Sequence, residues 1–192
     1  MEFLTLPFVA LFGVTLLLYY VSSSRAWQHA LLLLSSCVFI AFYHWQYLVV
    51  ALGITLFTFY TGKAIHRKLN SRSGTWLFSL GIIGLAGFWL FSRYWSGMFP
   101  IGISFYTFQA LSYLIEIYWE EEPEDSLSDF TLYMLLFMKF LSGPIERGYD
   151  LLPQLQEGKQ FNYTAVTHGL KLVAWGCFLK RGIADRIALP LS

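Results

Sequence analysis

The stretch Phe99-Pro-Ile-Gly-Ile-Ser-Phe-Tyr-Thr-Phe-Gln-Ala-Leu-Ser-Tyr-Leu-Ile-Glu-Ile-Tyr-Trp119 constrains this chain more than any other part of it. It is apolar and about as long as a bilayer crossing, which takes ~20 residues, yet it carries polar groups at helical spacing. On a helix, Gly102, Tyr106, Gln109, Tyr113 and Glu116 fall three or four residues apart on one stripe, whereas Ile103, Leu111, Leu114 and Ile115 lie largely off it. A lipid-facing helix has no use for such a stripe, because polar groups in hydrocarbon cost free energy unless they are paired or wet. The stripe is therefore expected to face other helices or a hydrated cavity. Two uses stay open: lining the path of a substrate, or holding neighbouring helices together.

Composition decides that this is a membrane chain. Hydrophobic residues make up 56% and charged residues 13%, against roughly a quarter charged in ordinary globular domains, and the mean hydropathy is +0.53. Aromatic residues reach 19%, as expected where Trp and Tyr anchor helix ends at the interface. A net charge of +1 leaves no basic face able to neutralise many phosphates, so a nucleic-acid partner is excluded and membrane lipid is the expected surrounding. Cys37 and Cys177 are far apart and neither belongs to a C-x-x-C pair. They read as small apolar fillers, with no metal expected.

The pattern predicts an all-α, polytopic transmembrane bundle occupying residues 1–192 as a single domain. Five spans are expected near 4–21, 27–43, 47–62, 76–92 and 100–118, with shorter re-entrant or interfacial helices near 130–142 and 163–179. The first run lacks the basic region that opens a signal peptide, so it reads as a retained span. Lys63, Arg67, Lys68 and Arg72 form the most basic loop, which the positive-inside rule places in the cytoplasm; His44 and the N-terminus then lie outside and Arg25 inside. The acidic run Glu120-Glu-Glu-Pro-Glu-Asp125 reads as a solvated loop. Phe130 to Ser142 is short for a crossing and reads as a helix that enters the membrane and breaks at Gly143-Pro144; the competing reading is a complete crossing. Arg147 to Tyr163 is expected to lie on the surface. In the last helix, Ala165, Gly169 and Gly176 are small enough for close packing.

Three quoted elements carry a resemblance to a known family. Phe99 to Glu116 (FPIGISFYTFQALSYLIE) resembles the segment LPIGISFYTFQALSYLID of bacterial membrane-bound O-acyltransferases of the alginate O-acetyltransferase type. Phe140-Leu-Ser-Gly-Pro-Ile-Glu-Arg147 resembles their AGPI-x-R element, and Phe178-Leu-Lys-Arg-Gly-Ile-Ala-Asp185 their KK-x-x-x-AD element. Met138 stands where the family normally has proline, and Lys139 where it has a neutral residue. The likeness covers the N-terminal portion of such an enzyme. It implies a multi-pass protein of the bacterial inner membrane that transfers an acyl group, most often acetyl, to hydroxyls of a cell-envelope polysaccharide such as alginate. The donor would be a cytoplasmic acyl-CoA or acyl-carrier thioester serving as co-substrate, with no bound cofactor.

General-base catalysis of such a transfer calls for a histidine, which in the family lies beyond the matched region. No catalytic residue is therefore expected here: His29, His44, His66 and His168 stand in no motif of that kind, and a complementary C-terminal half or other envelope-modification proteins would be partners. Gln109, Tyr106, Tyr113 and Ser112 are the candidates for a tunnel wall. Gln109 is equally readable as interhelical glue. Arg147 and Lys139 are the donor-side candidates. Arg147 would hold a phosphate or pantetheine-linked anion, or cap freed carbonyls, while Lys139 needs no more than to snorkel to the interface. Ser104, Thr107 and Ser112 are equally suited to bonding carbonyls of their own helix. Outside the enzyme class, the rivals are a truncated module that binds acyl donor or lipid or scaffolds a partner, and, more weakly, a transporter.

Overall fold

A computed structural model describes residues 6–69, 71–94, 102–119, 121–140, 143 and 145–184, all of them helical or connecting. Expectations placed on residues 4, 5, 95–101, 120, 141, 142, 144 and 185 lie outside the described residues. The elements are α1 (Leu6–Tyr19), α2 (Arg25–Tyr43), α3 (Trp45–His66), α4 (Arg72–Tyr94), α5 (Ile103–Tyr118), α6 (Leu127–Leu135), α7 (Phe137–Phe140), α8 (Gly148–Gln156) and α9 (Tyr163–Phe178), the last continued by a π-helical turn at Leu179–Ala184. No strand occurs among the described residues. Residues 1–158 and 159–192 form two compact units.

Helices α2, α3 and α4 are each long and apolar enough to cross a membrane, and α1 is a shorter apolar helix. A leucine- and phenylalanine-rich segment of ~20 residues satisfies every backbone group internally, which is what hydrocarbon demands. In the first unit α3 is central and packs against α2, α4, α5 and α6. The bundle is membrane-like in its surface too: Leu34, Val38, Leu80 and Ile83 stay exposed, while Ile40, Ile65, Leu114 and Phe137 form the core.

Side-chain bonds show which helix ends share one end of the bundle. Arg25 at the start of α2 reaches Asp129 in α6 at 2.7 Å, Lys63 near the end of α3 donates to the Asp125 carbonyl at 3.1 Å, and Thr75 near the start of α4 lies 3.5 Å from the Tyr118 hydroxyl. The basic turn and the acidic loop are thus neighbours. Trp89 and Ser104, bonded at 3.0 Å, mark the opposite end of α4 and α5.

One expectation is corrected. The segment expected to break first at Gly143-Pro144 is already broken at Leu136, whose ψ of 113° separates α6 from α7. Leu136 is neither glycine nor proline, and the reason for the break is tertiary, as described below. The segment expected to lie on the surface from Arg147 onward does so: it contains α8, which rests on α6 and α2 through the buried Gly148 and Leu152 and leaves Tyr149, Asp150, Pro153 and Gln154 exposed. Pro153, the sixth residue of α8, lies inside it and has no N–H to offer the Tyr149 carbonyl four residues back. In the second unit, no residue of α9 is buried, and a Cβ added at Gly169 or Gly176 would meet nothing within 4 Å.

Candidate functional site

The polar stripe of α5 faces inward. Tyr106, Gln109, Tyr113 and Glu116 are all buried, whereas Phe105 and Phe108 on the opposite side are exposed. Ile103 and Leu114, read as off the stripe, are buried as well, because α5 is enclosed over a wide arc by α3, α4 and α6. The helix starts at Gly102, whose φ of +73° favours glycine and where a Cβ would also collide with the Phe140 carbonyl oxygen at 2.5 Å. Glycine at this point lets the start of α5 meet the end of α7, and Tyr106 stacks on the Phe140 ring with centroids 5.0 Å apart.

Three stripe residues each hold a backbone group of the irregular segments that follow. Gln109 donates from Nε2 to the Tyr133 carbonyl at 3.1 Å. The Tyr113 hydroxyl accepts from the Glu124 N–H at 3.0 Å. Glu116 accepts from the Gly148 N–H at 2.9 Å through Oε2 and from the Ser112 hydroxyl at 3.2 Å through Oε1. A carboxylate at the N-terminus of α8 meets its unpaired N–H groups and the positive end of its dipole. Gly148 permits the approach, since a Cβ there would lie 3.2 Å from both Glu116 Oε2 and the Tyr113 ring.

At Leu136 this arrangement replaces a helical hydrogen bond. A continuous helix would join the Phe137 N–H to the Tyr133 carbonyl four residues back. Here the N–H donates to the Ser36 hydroxyl of α2 at 3.1 Å, and the carbonyl accepts from Gln109 of α5. Both halves are satisfied from other helices, the condition under which non-helical backbone survives at membrane depth. Of the two uses open for Gln109, its contact is therefore that of interhelical glue. Ser36 escaped the sequence reading, although a hydroxyl within the apolar run of α2 was a usable signal.

Apart from Ser112, the candidate residues are divided among three spaces. Tyr106, Gln109 and Lys139 line a crevice with Met134, Phe140 and Gly143 that has no room for a water molecule. Tyr113 and Glu116 border a hollow of about 520 Å³ shared with Glu121, Glu122, Glu124 and Asp125. Its clustered carboxylates would repel a phosphate. Arg147 borders a third hollow of about 430 Å³ with Glu146, Asp150 and Gln154. Arg147 is exposed and bonds the Tyr149 hydroxyl, which raises its pKa and leaves it a permanent cation.

Lys139, expected to snorkel to the interface, is buried instead. Its ammonium lies 3.5 Å from Glu146 and 4.3 Å from the centre of the Tyr133 ring, so a nearby carboxylate and an aromatic face compensate the charge within the protein. Tyr133 in turn donates to the Glu146 carbonyl at 2.8 Å. The hydroxyls expected to bond carbonyls of α5 do otherwise: Ser104 accepts from Trp89 and Ser112 serves Glu116, while Thr107 has no partner among the described residues. A further cluster was missed altogether. Asp129, buried in the first turn of α6, meets Arg25 at 2.7 Å and His29 at 2.9 Å. Its sequence signal is the Arg-x-x-x-His spacing on α2 facing a Ser-x-x-Asp helix start, with the Ser126 hydroxyl accepting from the Asp129 N–H.

No protein-family model matches the chain, and no solved structure matches it. Curated proteins do. The chain is 30% identical over 202 residues to the probable alginate O-acetylase AlgI of Pseudomonas aeruginosa, covering 89% of this chain and 37% of that protein. It is 32% identical to the protein of the same name from Pseudomonas fluorescens, covering 90% and 36%. The likeness is thus to part of proteins named alginate O-acetylase. A peptidoglycan O-acetyltransferase of Helicobacter pylori is also similar, at 26% identity, covering 82% of this chain and 38% of that protein. The chain thus spans little more than a third of the length of these relatives. The resemblance carried by residues 99–116 is the relationship found. In this acetylase relative the same motif supplies Gln109, Tyr113 and Glu116, which hold the irregular backbone in place.

Proposed function

We propose that this chain is part of a membrane-bound O-acyltransferase that moves an acetyl group from a cytoplasmic thioester to hydroxyls of a cell-envelope polysaccharide. The observation that carries this reading is the similarity to proteins named alginate O-acetylase over about nine-tenths of the chain; the peptidoglycan O-acetyltransferase widens the acceptor class without changing it. The protein sits in a bacterial inner membrane with its N-terminus outside and the turn between α3 and α4 in the cytoplasm, in keeping with the positive-inside rule. Tyr106, Gln109, Tyr113 and Ser112 back the tunnel wall, and Arg147 and Lys139 belong to the donor side. A coenzyme A or carrier-linked phosphate would meet the exposed Arg147 in preference to the carboxylate-lined hollow.

These 192 residues by themselves do not perform the transfer. His29 lies 2.9 Å from Asp129, His44 is exposed and packs edge-on to Tyr47, His66 ends α3, and His168 is exposed on α9. None borders the spaces that contain the candidate residues, so the general-base contribution of roughly 10² to 10⁴ in rate is missing. Purified in detergent with acetyl-coenzyme A and a polysaccharide acceptor, the chain should show no transfer above background. Co-expression with a complementary C-terminal half should restore it. Saturable transfer by the isolated chain, abolished by mutating His44 or His168, would overturn the inactivity. Failure of the complemented pair to acetylate any envelope polysaccharide would overturn the function.

A further inference from the structure

Two features of the α3–α4 hairpin lie apart from the candidate residues of α5 to α8. One is an apolar hollow of about 400 Å³ between the helices, walled by Gly53, Ile54 and Phe57 of α3 and Gly84, Leu85 and Phe88 of α4. The other is the turn that joins them. Arg67, Lys68 and Arg72 are exposed there, and none enters the ion pairs found among the described residues, whereas Lys63 is engaged by Asp125.

The spacing of the two features matches a lipid. Phe57 lies ten and Gly53 fourteen residues before Arg67, and Gly84 twelve after Arg72, which at 1.5 Å per residue is ~15 to ~21 Å along the helices. Half of a bilayer measures ~15 Å for the hydrocarbon core and ~20 Å with the headgroup layer. A phospholipid with its headgroup at the turn would therefore end its tail at the hollow. Exposed Tyr60, Trp76, Leu80 and Ile83 give the intervening hairpin an apolar surface. The hollow offers water almost no polar partner and so favours apolar atoms over water; left empty, its walls would forgo dispersion contacts. Guanidinium groups pair bidentately with phosphate, and cations beside a membrane favour anionic lipids.

We propose that this hairpin holds one anionic phospholipid, its phosphate on Arg67, Lys68 and Arg72 and the end of one tail in the hollow between Gly53 and Gly84. Gly53 gives access for a test, because a Cβ there would meet nothing within 4 Å and a larger side chain can enter the hollow without displacing backbone. At Gly84 the Phe57 ring is already 3.3 Å from such a Cβ.

The chain is reconstituted in phosphatidylcholine nanodiscs containing a phosphatidylglycerol or a phosphatidylcholine probe with a diazirine at the end of one tail. Irradiation of the phosphatidylglycerol sample should label Phe57, Leu85 or Phe88. Gly53→Leu should reduce that labelling to background. Replacing Arg67, Lys68 and Arg72 by Gln should lower it roughly fivefold per cation removed and leave the phosphatidylcholine signal unchanged. Free inorganic phosphate should not compete, since it has no tail. Equal labelling by the two probes, insensitivity to loss of the cations, competition by phosphate, or no label in the hollow of the unaltered chain would each overturn the proposal. Gel filtration and circular dichroism verify folding of the variants, and the contrast between probes on the unaltered chain decides even where a variant fails to fold.

Discussion

Removing Gln109 and Ser36 singly and together tests whether the break at Leu136 is one hydrogen bond split between a donor and an acceptor supplied by other helices. Gln109→Leu strips the Tyr133 carbonyl of its partner, and Ser36→Ala strips the Phe137 N–H. An unsatisfied buried group costs about 1–3 kcal/mol, whereas hydrogen bonds between helices in membranes average about 0.6 and reach about 1.7 kcal/mol. A carbonyl has a second lone pair and tolerates loss better than an N–H. About 1 kcal/mol is therefore expected for Gln109→Leu and about 1.5 kcal/mol for Ser36→Ala. In the double variant the two freed groups can rejoin as an ordinary helical bond. Its cost should consequently fall short of the sum by about 0.5–1 kcal/mol, outside the additivity expected of independent sites. The assay is reversible unfolding in mixed micelles titrated with sodium dodecyl sulfate and followed by tryptophan fluorescence. Costs that add within about 0.3 kcal/mol, or single variants indistinguishable from the parent, would refute the split-bond account.

Other expectations follow from the same geometry. Leu111→Gln, on a half-buried position packed at the edge of the core, should lower stability by about 1–2 kcal/mol in the same titration, since its amide finds only apolar neighbours or lipid; a neutral result would deprive the stripe of directional meaning. Gly148→Ala should cost about 1 kcal/mol and loosen α8, seen as faster proteolysis after Tyr149, because the new methyl meets Glu116 and Tyr113 at 3.2 Å. Asp129→Ala removes the buried carboxylate shared by Arg25 and His29; with Arg25 half exposed, about 2 kcal/mol is expected, and thermal melts in detergent that match the parent would contradict it. Single cysteines at His44 and Ser71 in a cysteine-free background should be labelled by an impermeant reagent in sealed cells only at the first position, and labelling of Ser71 from outside would reverse the orientation.

The helices and the buried stripe were legible in the sequence because both follow from local rules. Apolar runs of bilayer length must become helices to satisfy their own backbone, and residues three or four apart must share a face, so α2 to α5 lie close to where hydrophobicity places them. What the stripe is for was not legible. Gln109 bonds a carbonyl twenty-four residues away and Ser36 an N–H one hundred and one residues away, and no periodicity within either segment encodes such a partner. The same holds for Lys139, which looked like an interfacial cation until packing placed Glu146 and Tyr133 beside it. Sequence alone determined that this chain is an all-helical membrane bundle with polar groups turned inward. Tertiary structure decided where the backbone breaks and which side chains hold the break, because a buried polar group is stable only if its partner arrives from elsewhere in the fold.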